Sequence, residues 1–271
     1  MTGYVLGETA GEHRRLERQA EVMTELTRSI LARAGVGEGM RVLDVGCGPG
    51  DVSLIAAGLV GPSGSVVGID RDPAGLDRAR ARAEAAGLTH VAFVEADMHA
   101  GLPEGRFDAI VGRLVLMYTP DPAALLTRFA GLLGPGGILA FQETDIGAAK
   151  SVPPVPSIMD NLERIRETFR RAGANPSMAL SLDRAFRGAG MIPEMVGGTA
   201  LDACGEGFCP AWVSSTVRSL LPRMEALGVA TAAEIDPDTL ESRMRAELRE
   251  AQALHVGPLM VGAWARVPGA A

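Results

Sequence analysis

Between residues 41 and 143 the chain alternates short apolar runs with stretches whose apolar residues recur every three or four positions. The runs Arg41–Val45, Ser65–Ile69, His90–Glu95, Phe107–Gly112 and Gly137–Glu143 have the length and β-branched content of strands. The stretches Asp51–Leu59, Pro73–Ala86 and Pro122–Leu133 have helical period. Single helices between successive strands predict βαβ units, a parallel sheet and right-handed crossovers, an α/β doubly wound core. Turn residues punctuate the alternation at Gly61-Pro62-Ser63-Gly64, at Gly87 and at Gly134-Pro135-Gly136-Gly137. Ahead of the first strand, Leu16, Ala20, Met23, Leu26, Ile30 and Leu31 keep helical steps up to Gly35, which predicts an amphipathic N-terminal helix.

After Glu143 the pattern changes. Val152-Pro153-Pro154-Val155-Pro156 breaks the chain before a charged helical stretch over 157–172. A short helix over 178–189, a strand-like run over 194–201 and helical patterns over 210–227 and 236–253 follow. The run 255–267 reads as a strand, bent at Gly257-Pro258 or at Gly262. This divides the chain into an N-terminal cap helix (1–35), a core (36–145, 176–204 and 255–271) and inserted helical elements (146–175 and 205–254). The inserts would form a lid or substrate pocket; helical padding fits the same periodicity.

Composition narrows the function classes. With 271 residues and 47% apolar content the chain can bury a sizeable core. Its 26 basic and 33 acidic side chains leave a net charge of -7, which argues against nucleic acid and for a small-molecule partner. The basic clusters His13-Arg14-Arg15 and Arg164 to Arg171 are interleaved with Glu, as solvated helix faces are. No apolar run approaches the roughly 18 residues of a membrane span, and Met1-Thr2-Gly3-Tyr4 lacks the basic start of a signal peptide, so a cytoplasmic protein without a membrane partner is expected. The three cysteines, Cys47, Cys204 and Cys209, form no metal-type pair and read as reduced structural thiols. A homodimer is compatible with the sequence.

The chemistry concentrates at "VLDVGCGPG", residues 42–50, where a strand runs into Gly46, Gly48 and Gly50. A phosphate-binding P-loop needs a Lys and a hydroxyl after the last glycine; the chain's single Lys is Lys150. A dinucleotide turn needs a third glycine where Asp51 stands, and Asp44 and Asp51 would oppose a diphosphate; an oxidoreductase is the corresponding activity. S-adenosylmethionine carries an ammonium and a sulfonium but no phosphate. Asp44 could attract its ammonium, the glycines would allow close backbone approach, and Asp51 could cap the helix it opens.

The motif resembles the first motif of class I S-adenosylmethionine-dependent methyltransferases, and later segments fall in that family's order. "VVGID" (66–70) resembles the second-strand end, which implies that Asp70 receives the ribose hydroxyls and that Arg71 beside it also contacts the cofactor. "VEADMHAGLP" (94–103) implies adenine contacts from Asp97 and Met98. "FDAIVGRLVLMY" (107–118) and "LLGPGGILAFQE" (132–143) resemble the fourth and fifth strands. The resemblance implies a seven-stranded, mostly parallel sheet with an antiparallel final strand, its last pair supplied by 194–201 and 255–267. Arg113, at the fourth strand end, would line the methionine end or pair with an acid. The segment "GYVLG…RLERQA" resembles the leading segment of small-molecule members, which extends cofactor contacts to Tyr4 and Gln19.

The implied activity is methyl transfer to a metabolite or natural product of secondary metabolism, with oxygen ahead of carbon or nitrogen as the atom methylated. Such a displacement asks the protein to align the acceptor and exclude water, and no diagnostic catalytic residue is required. Candidate bases are Glu143, Tyr118 and His255, with Asp145 and His99 behind them, and each has a purely structural alternative. Leu116, Met117, Ile158, Met159 and Trp212 are candidates for an apolar acceptor pocket. No His, Asp and Glu fall at metal-ligand spacing, so no metal is expected. A chain that binds the cofactor without transferring methyl, as a cyclisation scaffold or sensor, is the alternative from a different class.

Overall fold

The structure, a computed structural model, describes residues 23–268. Helix α1 (23–34) buries Ile30, Leu31 and Ala34. There follow β1 (Arg41–Val45), α2 (Asp51–Val60), β2 (Ser65–Asp70), α3 (Pro73–Ala85), β3 (Val91–Glu95), β4 (Phe107–Arg113), α4 (Pro122–Ala130) and β5 (Leu133–Asp145). Beyond them lie β6 (Lys150–Val152), α5 (Pro156–Arg171), α6 (Leu182–Gly188), β7 (Glu194–Gly198) and β8 (Leu201–Ala203). The last elements are α7 (Cys209–Ala226), α8 (Ala232–Ile235), α9 (Leu240–Glu250), β9 (Leu254–Val256) and β10 (Leu259–Arg266).

Seven strands form one sheet in the order β3-β2-β1-β4-β5-β10-β7, mostly parallel with one antiparallel strand. Strand β1 pairs with β2 (Val42↔Val66) and with β4 (Val42↔Ala109), both in parallel. The chain order therefore reverses between β1 and β4. Ligands of open α/β sheets bind beyond the carboxyl ends of the strands at such a switch point, which here means Asp44 to Gly50 and Arg113 to Tyr118. One face of the sheet packs Val42, Val66, Ala109, Val111, Ile138 and Ala140 against α1 and α2. Val42, Leu43 and Val45 of β1 are all buried, as expected of a strand covered on both faces.

Several boundaries differ from the sequence expectation for local reasons. Strand β5 starts at Leu133, which pairs with Phe107, and the register then shifts before Ala109↔Ile138. That irregularity absorbs the Gly134 to Gly137 turn and ends α4 at Ala130 rather than 133. The helix expected over 236–253 is the shorter α9, and a separate one-turn helix, α8, stands just before it. A capping box of Thr231 and Glu234 opens α8, Asp236 leaves the helical region at φ 49°, and α9 resumes at Leu240.

The chain divides into two compact units. The sheet unit comprises Met23–Glu143, Ala179–Val196 and Val261 onward; the smaller unit contains Thr144–Met178 and Gly197–Met260. The smaller unit is not purely helical as expected. Strands β6, β9 and β8 make a separate antiparallel sheet in that order. The runs expected as single strands, 194–201 and 255–267, are thus each split. β7 and β10 stay neighbours in the large sheet, whereas Leu201 and His255 belong to the small one, the second break falling at Gly257-Pro258. Helices α5, α7 and α9 pack on one another, and Ile158, Leu162, Val217, Leu220 and Met244 on them are buried.

Candidate active site

The glycine loop is shaped by its backbone. Gly46, Gly48 and Gly50 all have positive φ (65°, 50° and 86°). At Gly46 a Cβ would lie 2.8 Å from Val115 Cγ2, so any larger residue would displace the loop after β4. Gly48 has open space where a Cβ would stand, and a ligand can approach its backbone closely. Gly50 is the N-cap of α2 and supplies no side chain.

Asp51 does not cap α2, contrary to expectation. Its carboxylate is held between Arg82 (Nη1 to Oδ1, 2.7 Å) and Arg113 (Nη2 to Oδ2, 2.9 Å). Arg113 also donates to Thr27 Oγ1 (3.3 Å), and that hydroxyl lies 2.6 Å from Gln142 Oε1. Of the two roles open to Arg113, the structure shows the pairing with an acid. The network joins α1, α2, β4 and β5 at the switch point, and burial pulls the Arg113 guanidinium below its ordinary value.

Asp44 is fully buried. Oδ2 accepts from Ser53 Oγ (2.6 Å), while Oδ1 has no hydrogen-bond partner among the described residues. Burial raises its carboxyl from 3.8 to about 7, against the lowering effects of Ser53 and Arg113. Burial also pushes the neighbouring Cys47 thiol up, which makes it a packing group and not a nucleophile. Asp70 is half-buried at the end of β2. Its carboxylate accepts from Gly48 N (2.8 Å) and Asp72 N (3.0 Å), so it pins the glycine loop to the second strand. Capping of α3 falls to Asp72, which receives Ala74 N and Gly75 N; Asp70 is not spent on that task. Arg71 is exposed.

Asp97 and Met98 lie on the turn after β3. Asp97 Oδ1 accepts from His99 N (2.8 Å), an Asx turn that fixes the backbone there. A residue not anticipated from sequence completes this turn: Arg128 of α4 donates to the carbonyls of Met98 (3.1 Å), His99 and Ala100 (2.9 Å). Arg128 looks like an ordinary last-turn helix cation in the sequence, and nothing local signals its partners 28 to 30 residues away.

The candidate bases sort by what they touch. Glu143 Oε1 accepts from Val115 N (2.9 Å) and Leu116 N (2.7 Å), which caps the short 3-10 turn Leu116–Tyr118. Leu114, just before it, has φ 58°, a strained conformation for a non-glycine residue that these bonds help to hold. Glu143 is buried, Oε2 has no partner among the described residues, and burial raises its carboxyl to about 7. Asp145 Oδ1 receives Gly147 N (3.0 Å) and Ser177 Oγ (2.6 Å) within the smaller unit, where it forms a turn. Tyr118 is half-buried on the turn that Glu143 holds, and His255 is buried in the smaller unit. Of the residues expected to line an acceptor pocket, Leu116, Met117, Ile158 and Trp212 are buried and Met159 is half-buried. Tyr4 and Gln19 lie outside the described residues.

The residues present fit S-adenosylmethionine. An unpartnered, buried carboxylate oxygen on Asp44 suits an ammonium, and the loop backbone at Gly48 is open to close approach. The carboxylates of Asp44 and Asp70 beside that loop disfavour a diphosphate. Comparison with known proteins agrees. The family described as "Methyltransferase domain" matches residues 37–186, more than half of the chain. The chain belongs to that family, the class I S-adenosylmethionine-dependent methyltransferases.

Among its relatives, a trans-aconitate 2-methyltransferase of Methylobacterium radiotolerans is 42% identical over 123 residues, 45% of each chain. The aklanonic acid methyltransferase DauC of Streptomyces sp. strain C5 is 35% identical over 158 residues, 55% of this chain and 71% of that one. The match thus spans about half the length of the first of these relatives. The fold is shared with a Bacillus halodurans protein of known crystal structure (TM-score 0.60, 18% identity, covering 89% of this chain and 98% of that one). No helix among the described residues is long and apolar enough to cross a membrane.

Proposed function

We propose that the protein transfers a methyl group from S-adenosylmethionine to a small-molecule acceptor, at oxygen in preference to carbon or nitrogen. The observation that carries this reading is the Asp44 carboxylate oxygen, buried and unpartnered beside the open Gly48 backbone. Both named relatives carry small organic acids in their names, which supports a small-molecule acceptor. The net charge of -7 supports the same class over nucleic acid. Bound S-adenosylmethionine supplies a methyl group already activated on a positively charged sulfur.

The work left to the chain is binding, alignment and exclusion of water. Asp44 would balance the ammonium, Gly46, Gly48 and Gly50 would shape the cradle, and Asp70 would accept from the ribose hydroxyls while holding Gly48 N. Asp97 and Met98 would take the adenine, on a turn that Arg128 keeps in place. Glu143 would act as a positioning residue, because its carboxylate is committed to Val115 N and Leu116 N. Tyr118, carried on that turn, is the remaining polar candidate at the end of β4.

Radiolabelled methyl transfer into a fractionated extract tests the reading. Tight binding of S-adenosylhomocysteine with no acceptor labelled would overturn it in favour of a scaffold or sensor. A site test is Asp70→Ala, expected to weaken S-adenosylhomocysteine binding by about 1–3 kcal/mol through loss of a charge-assisted acceptor. Asp70→Asn, which keeps one acceptor oxygen for the loop amides, should lose less. Unchanged calorimetric affinity in a folded Asp70→Ala protein refutes the ribose assignment.

A further inference from the structure

Helix α3 lies against the glycine loop, and three of its residues at helical spacing meet it. A Cβ on Gly75 would stand 3.4 Å from the backbone carbonyl carbon of Gly48, and a Cβ on Gly50 would stand 3.0 Å from Ala79 Cβ. One turn further on, Arg82 Nη1 donates both to the Pro49 carbonyl (2.7 Å) and to Asp51 Oδ1 (2.7 Å). Residues 75, 79 and 82 share one face of a helix, so α3 backs the loop from Gly48 to Asp51. Gly75 and Ala79 are buried, whereas the Arg82 side chain is 34% exposed.

The loop depends on such outside ties. Gly46, Gly48 and Gly50 have no side chains to restrict them, and all three hold positive φ. Other ties fix its amides: Cys47 N donates to Ile69 O (3.0 Å), Gly48 N to Asp70 (2.8 Å) and Gly50 N to Cys47 O (2.9 Å). Pro49 locks its own φ, but the direction of its carbonyl is set by ψ, which the ring leaves free. Arg82 fixes that remaining dihedral, between the two glycines that bracket Pro49.

We infer that Arg82 is a positioning residue for the cofactor: it holds the Pro49 peptide, and with it Gly48 and Gly50, in the conformation that receives S-adenosylmethionine. This rests on the cofactor reading of the loop. Without the tie the loop spreads over other backbone states, and the apparent affinity falls with the competent fraction. The effect separates from folding stability, because water can replace the partly exposed Arg82 at Asp51, which keeps Arg113. It also separates from charge. S-adenosylmethionine carries a net positive charge and S-adenosylhomocysteine none, so losing a cation by charge alone would tighten the first relative to the second.

The test compares Arg82→Met, which keeps the apolar stem and removes both donors, with Arg82→Lys and Arg80→Met in the full chain. Arg80 is exposed and bound to Asp77 and to the Phe93 carbonyl, so its loss controls for the change of charge. Calorimetry is expected to show both ligands about tenfold weaker in Arg82→Met, with Arg82→Lys in between and Arg80→Met within about twofold of the unsubstituted protein. Amide exchange at Gly48 and Gly50 without ligand should quicken in Arg82→Met. Exchange at Ala86, whose amide bonds to the Arg82 carbonyl at the end of α3 (3.0 Å), should not. Unchanged affinity in Arg82→Met overturns the inference. So does a loss matched by a fall in denaturant midpoint, or a gain for S-adenosylmethionine over S-adenosylhomocysteine. An unsubstituted protein that binds neither ligand counts against the cofactor reading and takes this inference with it; normal binding with an indifferent Arg82→Met protein counts against Arg82 alone.

Discussion

Asp51→Ala is expected to lower folding stability by about 3–5 kcal/mol, seen as a fall in denaturant midpoint with little change in slope. The magnitude comes from Arg113 and not from Asp51 itself. The Arg113 side chain is only 9% exposed, and its guanidinium balances against Asp51 at 2.9 Å. Without Asp51 a buried cation is left with the Thr27 hydroxyl and a longer-range attraction to Asp44. Arg82 adds little to the loss, because it is 34% exposed and water can replace its partner. The contrast that isolates the mechanism is the pair Asp51→Asn and Arg113→Met. Asp51→Asn alone should remain strongly destabilised, whereas the double variant should recover much of the loss because no buried cation remains. A double variant as unstable as the single one would show that the damage lies in packing. S-adenosylhomocysteine affinity should also fall with Asp51→Ala, since α2 and the end of β4 are both tied through this carboxylate.

This ion pair marks the boundary of what the sequence makes legible. The alternation of strands and helices up to residue 143, the glycine turn and the acid closing β2 all follow from local pattern, and the strand order is consistent with them. The partners of Asp51 are 31 and 62 residues away, and a local reading assigns it instead to the nearest helix end. The Ser177 partner of Asp145, 32 residues away, is hidden from a local reading in the same way. The small sheet escapes detection because Lys150–Val152, Leu201–Ala203 and Leu254–Val256 are three residues each, too short to show a period of two. His255 was visible only as an isolated histidine. Its place directly opposite Asp202 is a matter of cross-strand register, 53 positions apart in the numbering, and it emerges from pairing rather than spacing. Arg128 shows the same limit at the adenine turn.

Glu143 yields the second large effect, a pH dependence opposite to that of an ordinary salt-bridged carboxylate. Burial holds its folded-state value at about 7 against 4.5 for the free group, and Asp44 stands at about 7 against 3.8. In both cases the folded protein keeps a proton that the unfolded chain has released. Their contribution to stability is therefore fully present below the unfolded values and is lost as pH rises through about 7, by about 3–4 kcal/mol for each group. Denaturant midpoints measured from pH 5 to pH 8 should fall. Glu143→Gln should remove about half of that fall, since its carbonyl oxygen can still receive Val115 N and Leu116 N while carrying no charge at any pH. Glu143→Ala should be destabilised at every pH, because two buried amides lose their acceptor and the strained backbone at Leu114 loses its support. Saturation with S-adenosylhomocysteine separates the two carboxylates. An ammonium beside Asp44 favours its ionised form, so the ligand should abolish the Asp44 share and leave the Glu143 share in place. A Glu143→Gln protein with an unaltered pH slope would mean that Glu143 is already ionised in the folded state, held by the amides of the turn it caps more strongly than burial opposes it.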